Sequence, residues 1–240
     1  AQCKVKPVFV EGSGKRHRFC GKSCRDAASR HAAAVGALLV AVQRDHHEYQ
    51  LAESLLHNTW FKKDAYNVVR LVAVQRVHNP RLVSTYDAYA ASISGGEVAN
   101  GNERLFFHGC PESAITIGSK DNIIENGFLK KFWQPGWQRY GPGFYFGPQA
   151  SKSHEYPLAQ MSALGPGLHT RKMLLCKVAC GRVYKTARDM STLRGSAPEG
   201  YNSVYGEAQK GGSLNYDEYV VYSEAAVLPF LVVEYEFHKF

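Results

Sequence analysis

Three separated segments of the chain carry residue types that could bind a planar ligand and act on it. The first is the run LFFHGC from Leu105 to Cys110, a short apolar strand that ends in His108 and Gly109. An imidazole can donate or accept a hydrogen bond, and a glycine permits close approach of a ligand to the backbone. This segment predicts a strand end at the wall of a binding site.

The second segment is YGPGFYFGPQASKSHEY, from Tyr140 to Tyr156. It places Tyr145, Tyr156 and Ser153 beside a glycine-rich turn. Aromatic rings with one hydroxyl at a fixed position are typical of a slot that holds a flat, polar ligand.

The third segment is SLNYDEYVVY, which begins at Ser213. In a strand, Glu218 shares a face with Tyr216, Val220 and Tyr222, so a carboxylate projects among apolar side chains. Burial of a carboxylate without a purpose is costly. The alternative is that Glu218 faces solvent on an edge strand, because glutamate is rarely buried.

In this order and spacing, the three segments resemble the H-Y-E signature of the poly(ADP-ribose) polymerase (diphtheria-toxin-like) ADP-ribosyltransferases. The matching motifs are FHG, then GxGxYF with ASKSxxY, then YxEYVVY. The similarity extends to LPFLVVEY from Leu228 and back to VQRVHNP from Val74. The resemblance implies an α+β fold with a split antiparallel β core flanked by helices. It also implies a catalytic domain over residues 61–240, with NAD as its substrate.

The resemblance further implies a nicotinamide site. Gly109 pairs its backbone N–H and C=O with the nicotinamide amide, and Ser153 adds its hydroxyl to the same group. Tyr156 stacks on the nicotinamide ring, and Tyr145 closes the opposite side. Cys110 stands where many members have serine or threonine, so a hydrogen bond from that position would be weaker.

On the ribose side, the resemblance implies that His108 hydrogen-bonds a ribose hydroxyl and that Glu218 holds the 2′-hydroxyl of the nicotinamide ribose. Glu218, His108 and Tyr145 are then the predicted catalytic residues of an ADP-ribosyltransferase. The acceptor is a protein or a nucleic acid, and mono or poly transfer stays open. One alternative is an NAD glycohydrolase that uses water. Another is a module that binds nucleic acid or ADP-ribose with little turnover.

A second cluster of reactive side chains lies in residues 1–30, where Cys3, His17, Cys20 and Cys24 occur in a segment with few apolar residues. Zinc held by thiolates and an imidazole stabilises such segments directly. The pattern H-x2-C-x3-C with Cys3 far upstream predicts a zinc site. The alternative is a flexible basic tail with incidental cysteines.

The same residues, 1–30, hold much of the formal net charge of +8: eight Lys and Arg stand against two acidic residues. Concentrated positive charge attracts polyanions such as nucleic acid or ADP-ribose chains. Binding of nucleic acid is therefore one prediction for this segment. A solubilising surface is the alternative.

The elements that must position these residues follow from periodicity. Asp26 is a candidate cap for a helix running to about Val42, and a second helix is predicted over 46–60, so residues 31–60 form a helical connector. The β-branched run from Asn67 to Val77 predicts a strand, and Leu82 to Ile93 predicts a helix. Short strands separated by Gly and Pro follow, which indicates an α+β fold.

Several function classes are excluded or disfavoured. The two GPG segments lack the G-x-G-x-x-G context of a Rossmann fold, and no Walker A, H-E-x-x-H or G-x-S-x-G motif occurs. The longest apolar run, Ala32 to Val42, is too short to span a bilayer, so we expect no membrane association and an intracellular location, nuclear or cytoplasmic. Cys176 and Cys180 are predicted to be buried structural thiols.

Overall fold

The computed structural model describes residues 36–61, 66–96, 98–133, 138–208 and 216–240. Its helices are α1 (His47–Asn58), α2 (Pro80–Ser92), α3 (Ile123–Asn126), α4 (Ala150–His154) and α5 (Leu158–Ala163). Its strands are β1 (Leu38–Val42), β2 (Tyr66–His78), β3 (Glu103–His108), β4 (Phe144–Phe146), β5 (Gly167–Ala179), β6 (Val183–Thr186), β7 (Ser203–Gly206), β8 (Glu218–Val221) and β9 (Val227–Lys239). Short 3-10 turns cover Asn100–Asn102, Glu112–Ile115, Lys130–Phe132 and Glu224–Ala226.

The first sheet has five antiparallel strands in the order β1-β2-β9-β5-β3. The strand β9 is buried along most of its length, and β5 is buried mainly over its second half, from Met173 to Ala179. In β5, Leu174, Cys176 and Val178 face one apolar cluster, whereas Met173 and Leu175 face the other. This alternation is what the two-residue period of a strand predicts for a sheet covered on both faces. The second cluster also includes the apolar side of α1.

The second sheet has four strands in the order β4-β8-β7-β6. Its pairs are antiparallel except β6 with β7, which is parallel. A parallel pair needs a long crossover connection, and residues 187–202 provide one. A bridge between Phe107 and Gly147 links the two sheets. The α+β prediction with a split antiparallel core is therefore confirmed, with the parallel pair as an addition.

The predicted helix ending near Val42 is wrong over Leu38–Val42. This stretch is β1, which pairs antiparallel with β2 from Leu38 opposite His78 to Val42 opposite Val74. A short run of Leu, Val and Ala fits a helix or a strand by periodicity alone, and pairing with β2 decides in favour of the strand. The predicted basic segment and the first part of the predicted helix lie in residues 1–35, outside the described residues.

The other predicted elements before residue 100 are confirmed. The helix predicted over 46–60 is α1, the strand is β2, and the helix after it is α2. The side chain of Asn79 caps α2 by accepting from the N–H of Leu82 at 3.2 Å, and Pro80 occupies the first turn. The helix α1 packs on the first sheet, and β1 is one of the strands of that sheet. The domain limits at residues 30 and 60 stay predictions. No helix in the described part of the chain is long and apolar enough to cross a membrane.

Candidate active site

His108 is the last residue of β3, and its ring packs against aromatic side chains. The ring centroids of Phe128 and Phe146 lie 4.8 and 5.7 Å away. Burial lowers the pKa of His108 to about 4, and a hydrogen bond with the backbone of Tyr145 opposes this shift. The imidazole is therefore neutral near pH 7, with one nitrogen that donates and one that accepts.

We expect an NMR titration of the His108 imidazole to give a midpoint near pH 4, with the His108→Gln variant used to assign the resonances. Because this pKa lies below the usual value of 6.5, the folded state favours the neutral form. The contribution of the neutral His108 imidazole to the free energy of unfolding is fully present above pH 6.5 and is lost as the pH falls towards 4. A midpoint near 6.5 would show that the ring is solvated and contradict the burial argument.

Gly109 follows directly, and its backbone lies against the end of α4 and the turn after it. A Cβ atom built at Gly109 would lie 1.9 Å from the carbonyl oxygen of Ser153 and 2.6 Å from that of Tyr156. Neither backbone atom can move as a flexible side chain would. Only a glycine therefore allows the end of β3 to lie against this turn.

Tyr145 lies at the centre of β4, and its hydroxyl folds back onto the glycine-rich turn. The hydroxyl donates to the carbonyl of Gly141 at 2.7 Å and accepts from the N–H of Tyr140 at 3.0 Å. Gly141 has a φ of 69°, and a Cβ there would lie 2.3 Å from the carbonyl oxygen of Leu193. Burial raises the pKa of Tyr145, so the phenol is neutral at physiological pH. The Tyr145 side chain is thus fixed at its hydroxyl by two hydrogen bonds and at its backbone by β4.

Ser153 and Tyr156 belong to α4 and the turn that follows it. The Ser153 hydroxyl is buried and lies 2.7 Å from the carbonyl oxygen of Phe107, to which it donates. Tyr156 is 45% exposed, so part of the residue is accessible. An accessible aromatic residue near a buried hydroxyl is suited to stack on a planar group and bind its polar substituent.

Glu218 opens β8, which lies between β4 and β7 rather than at an edge. Its side chain is 15% exposed, so the alternative of a solvent-facing glutamate is wrong. The ammonium of Lys152, itself 12% exposed, donates to Glu218 Oε1. Burial lowers the pKa of Lys152, and the charge of Glu218 opposes that shift. The carboxylate and the ammonium thus compensate each other's burial.

Sequence reasoning missed Lys152. The only signal was indirect: a partly buried carboxylate needs a partner, and Lys152 is the basic residue within the ASKS motif. Its side chain lies on α4 and reaches β8 across 66 positions of the chain. No spacing rule connects two residues so far apart.

The six residues predicted to contact NAD line one cavity of about 980 Å³. They are His108, Gly109, Tyr145, Ser153, Tyr156 and Glu218. Further residues before the glycine-rich turn line the same cavity: Phe128, Leu129, Phe132, Trp133, Gln138 and Arg139. This volume is near the upper end for small-molecule sites, as a dinucleotide requires. The cavity therefore combines a neutral imidazole, two tyrosine residues and a carboxylate in one place.

The predicted zinc ligands Cys3, His17, Cys20 and Cys24 lie outside the described residues. Within the described ranges, no group of three or more His, Cys, Asp or Glu side chains is arranged to hold a metal ion. Cys176 and Cys180 are fully buried, as predicted. Burial also raises the pKa of Cys110 to about 12, so this thiol beside the site stays protonated.

The two sheets, with the H-Y-E residues around one cavity, define an ADP-ribosyltransferase fold. The family model of the poly(ADP-ribose) polymerase catalytic domain matches residues 46–211, well over half of the chain. The chain therefore belongs to the poly(ADP-ribose) polymerase catalytic domain family. Membership supports NAD-dependent ADP-ribosyltransferase activity in general terms, with NAD as the substrate. The match includes His108, Tyr145 and Tyr156 and ends before Glu218.

Proposed function

We propose that this chain splits the nicotinamide–ribose bond of NAD and transfers ADP-ribose to a protein or nucleic-acid acceptor. One observation carries the proposal: the carboxylate of Glu218, paired with Lys152, lies on the wall of the cavity that His108 and the two tyrosines also line. A desolvated carboxylate beside an aromatic slot is suited to a reaction in which positive charge develops on a sugar.

The first step requires no general acid. As the bond between C1′ and the pyridinium nitrogen breaks, its electron pair goes to that nitrogen, and nicotinamide leaves as a neutral molecule. Positive charge develops on the ribose, as it does on the sugar in glycosidases, but here no acid has to protonate the leaving group. Glu218 stabilises this charge. Because Lys152 donates to Oε1, we assign Oε2 to the 2′-hydroxyl of the nicotinamide ribose.

The nicotinamide amide is assigned to Gly109 and Ser153, and its ring to the slot between Tyr156 and Tyr145. Ser153 has one hydroxyl proton, which it donates to the Phe107 carbonyl. The hydroxyl can accept from the amide NH2 as it stands, or rotate to donate to the amide carbonyl. The neutral imidazole of His108 is assigned to a ribose hydroxyl.

In the second step, an acceptor oxygen forms a bond to C1′ and loses its proton to a base, for which Glu218 is our candidate. A side-chain oxygen, a nucleic-acid end or a hydroxyl of an existing ADP-ribose would each give a transferase. Water would give free ADP-ribose, which is the glycohydrolase alternative. The same cavity serves each acceptor, so the product distribution separates them.

The test is incubation of the purified chain with NAD labelled in the adenylate, followed by separation of nicotinamide, free ADP-ribose and bound label. Wild type is compared with Glu218→Gln and with Glu236→Gln, a control whose carboxylate pairs with exposed Arg70. We expect bound label that Glu218→Gln loses and the control keeps. Free ADP-ribose alone would indicate the glycohydrolase, and no released nicotinamide would leave only a binding module.

For the basic segment, we propose that residues 1–30 bind nucleic acid or ADP-ribose chains inside the cell, nuclear or cytoplasmic, with zinc held by Cys3, His17, Cys20 and Cys24. The support is the charge of the segment and its cysteine and histidine content. We expect about one zinc per chain by elemental analysis and oligonucleotide binding that weakens steeply with salt. Metal content that survives alanine substitution of all four residues would contradict this assignment.

A further inference from the structure

Residues 153–156, which form the end of α4 and the turn that carries Tyr156, are attached to three strands of the first sheet. The first two attachments are made by side chains of this segment. Ser153 donates its hydroxyl to the carbonyl of Phe107 on β3. The fully buried ring of His154 places Nδ1 2.8 Å from the hydroxyl of Tyr235 on β9. Because α4 ends at His154, the carbonyls that follow need partners other than helical N–H groups.

Arg171 on β5 supplies the third attachment, and it binds backbone. Its Nη1 donates to the carbonyl of His154, and its Nη2 donates to the carbonyl of Tyr156. The planar guanidinium holds both acceptors in one rigid arrangement. Arg171 and Tyr235 are also partners in the register of β5 and β9, so neighbouring positions of the sheet hold the carbonyl and the ring of one histidine.

Gly109 approaches the same turn. A Cβ atom there would lie 2.6 Å from the Tyr156 carbonyl oxygen, the oxygen that also accepts from Arg171. The position of this carbonyl thus affects the separation between the Gly109 backbone and the Tyr156 ring. In the proposed function, the Gly109 backbone binds the nicotinamide amide and the Tyr156 ring stacks on the nicotinamide ring.

We propose that Arg171 is a positioning residue for nicotinamide, which holds residues 154–156 where the Tyr156 ring and the Ser153 hydroxyl can meet the ligand together. The inference rests on the proposed function, since that function assigns nicotinamide to the slot. Arg171 lines a separate cavity of about 410 Å³, whereas Tyr156 and Ser153 line the large one. We therefore infer that Arg171 acts on the ligand indirectly, through the backbone carbonyls that it binds.

The experiment compares wild type, Arg171→Met, Arg171→Lys and a control, Arg70→Met, which removes an exposed arginine from β2. Binding of benzamide, which has the ring carboxamide of nicotinamide, is measured by calorimetry, and KM and kcat for NAD are measured by nicotinamide release. We expect Arg171→Met to weaken benzamide binding and raise KM about tenfold or more. A lysine cannot reproduce the fork, so Arg171→Lys should lie between wild type and Arg171→Met.

The outcomes separate this inference from the proposed function. A lower melting temperature in Arg171→Met with benzamide affinity and KM unchanged would show a structural role only and overturn the inference. If Arg171→Met does not fold, Arg171→Lys decides: wild-type affinity in that variant overturns it. If wild type releases no nicotinamide, the proposed function fails, and loss of benzamide binding in the variants still supports Arg171. If the wild type does not bind benzamide, the inference is overturned. If the wild type turns over NAD and the Arg171 variants behave like it, the inference is overturned and the proposed function stands.

Discussion

Replacement of Glu218 by glutamine is expected to lower kcat for nicotinamide release by about 10²- to 10³-fold, the range found when a group that stabilises transition-state charge is removed. Glutamine keeps the size of the side chain and an oxygen that can accept from Lys152. The carboxylate charge is lost, and this charge matters most when positive charge develops on the ribose. We therefore expect KM for NAD to change by less than about fivefold.

A control variant and a test of folding show whether a loss of kcat in Glu218→Gln is due to the carboxylate. Glu236→Gln removes a carboxylate from β9 that pairs with exposed Arg70, and its kinetics should match wild type. Thermal denaturation should show that Glu218→Gln is folded, because Lys152 keeps an acceptor. Unchanged kcat in a folded Glu218→Gln variant would exclude Glu218 as the charge-stabilising group and with it the mechanism proposed above.

Replacement of Gly109 by alanine is expected to lower the free energy of unfolding by about 2–3 kcal/mol, as overpacking against rigid surroundings does. The new Cβ would lie 1.9 Å from the Ser153 carbonyl oxygen and 2.6 Å from the Tyr156 carbonyl oxygen, so β3 and the turn after α4 must separate. That movement widens the proposed nicotinamide slot. We expect kcat/KM for NAD to fall by about 100-fold or more, since misplacement of about 1 Å has effects of this size.

The matched control is Gly165→Ala. No heavy atom lies within 4 Å of a Cβ built at Gly165, so this variant should keep the unfolding free energy and kcat/KM of wild type. Chemical denaturation and NAD kinetics on both variants give the comparison. If Gly109→Ala has the stability of wild type, the backbone at Gly109 does not lie as close to the carbonyls of Ser153 and Tyr156 as described above.

Most local elements were predictable because their signals are local. The helix α1 and the strand β2 follow from apolar periodicity and β-branched content, and Asn79 with Pro80 marks the start of α2. The strand β1 was missed because five apolar residues suit a helix or a strand equally. Its structure is decided by pairing with β2, in which Leu38 lies opposite His78, 40 positions further along the chain.

In the candidate site, too, the residue types follow from local motifs, whereas their arrangement in space depends on long-range pairing. The residue types His108, Gly109, Tyr145, Tyr156 and Glu218 and their order were visible in three motifs, since each motif combines a strand or turn with one unusual side chain. Their placement around one cavity was an expectation from the family resemblance. The three motifs alone do not supply it, because strands β3, β4 and β8 come together only through the two sheets.

The sequence by itself determined the α+β class, the ordered motifs, and the carboxylate, aromatic and imidazole groups available for chemistry on NAD. Only the tertiary structure decided that Lys152 pairs with Glu218 and that Arg171 holds the turn of Tyr156. It also decided that Gly109 must be a glycine because of backbone atoms more than forty positions away. The physical reason is common to all three: burial and hydrogen bonding join residues from different strands, whereas periodicity and motif spacing report only on neighbours along the chain.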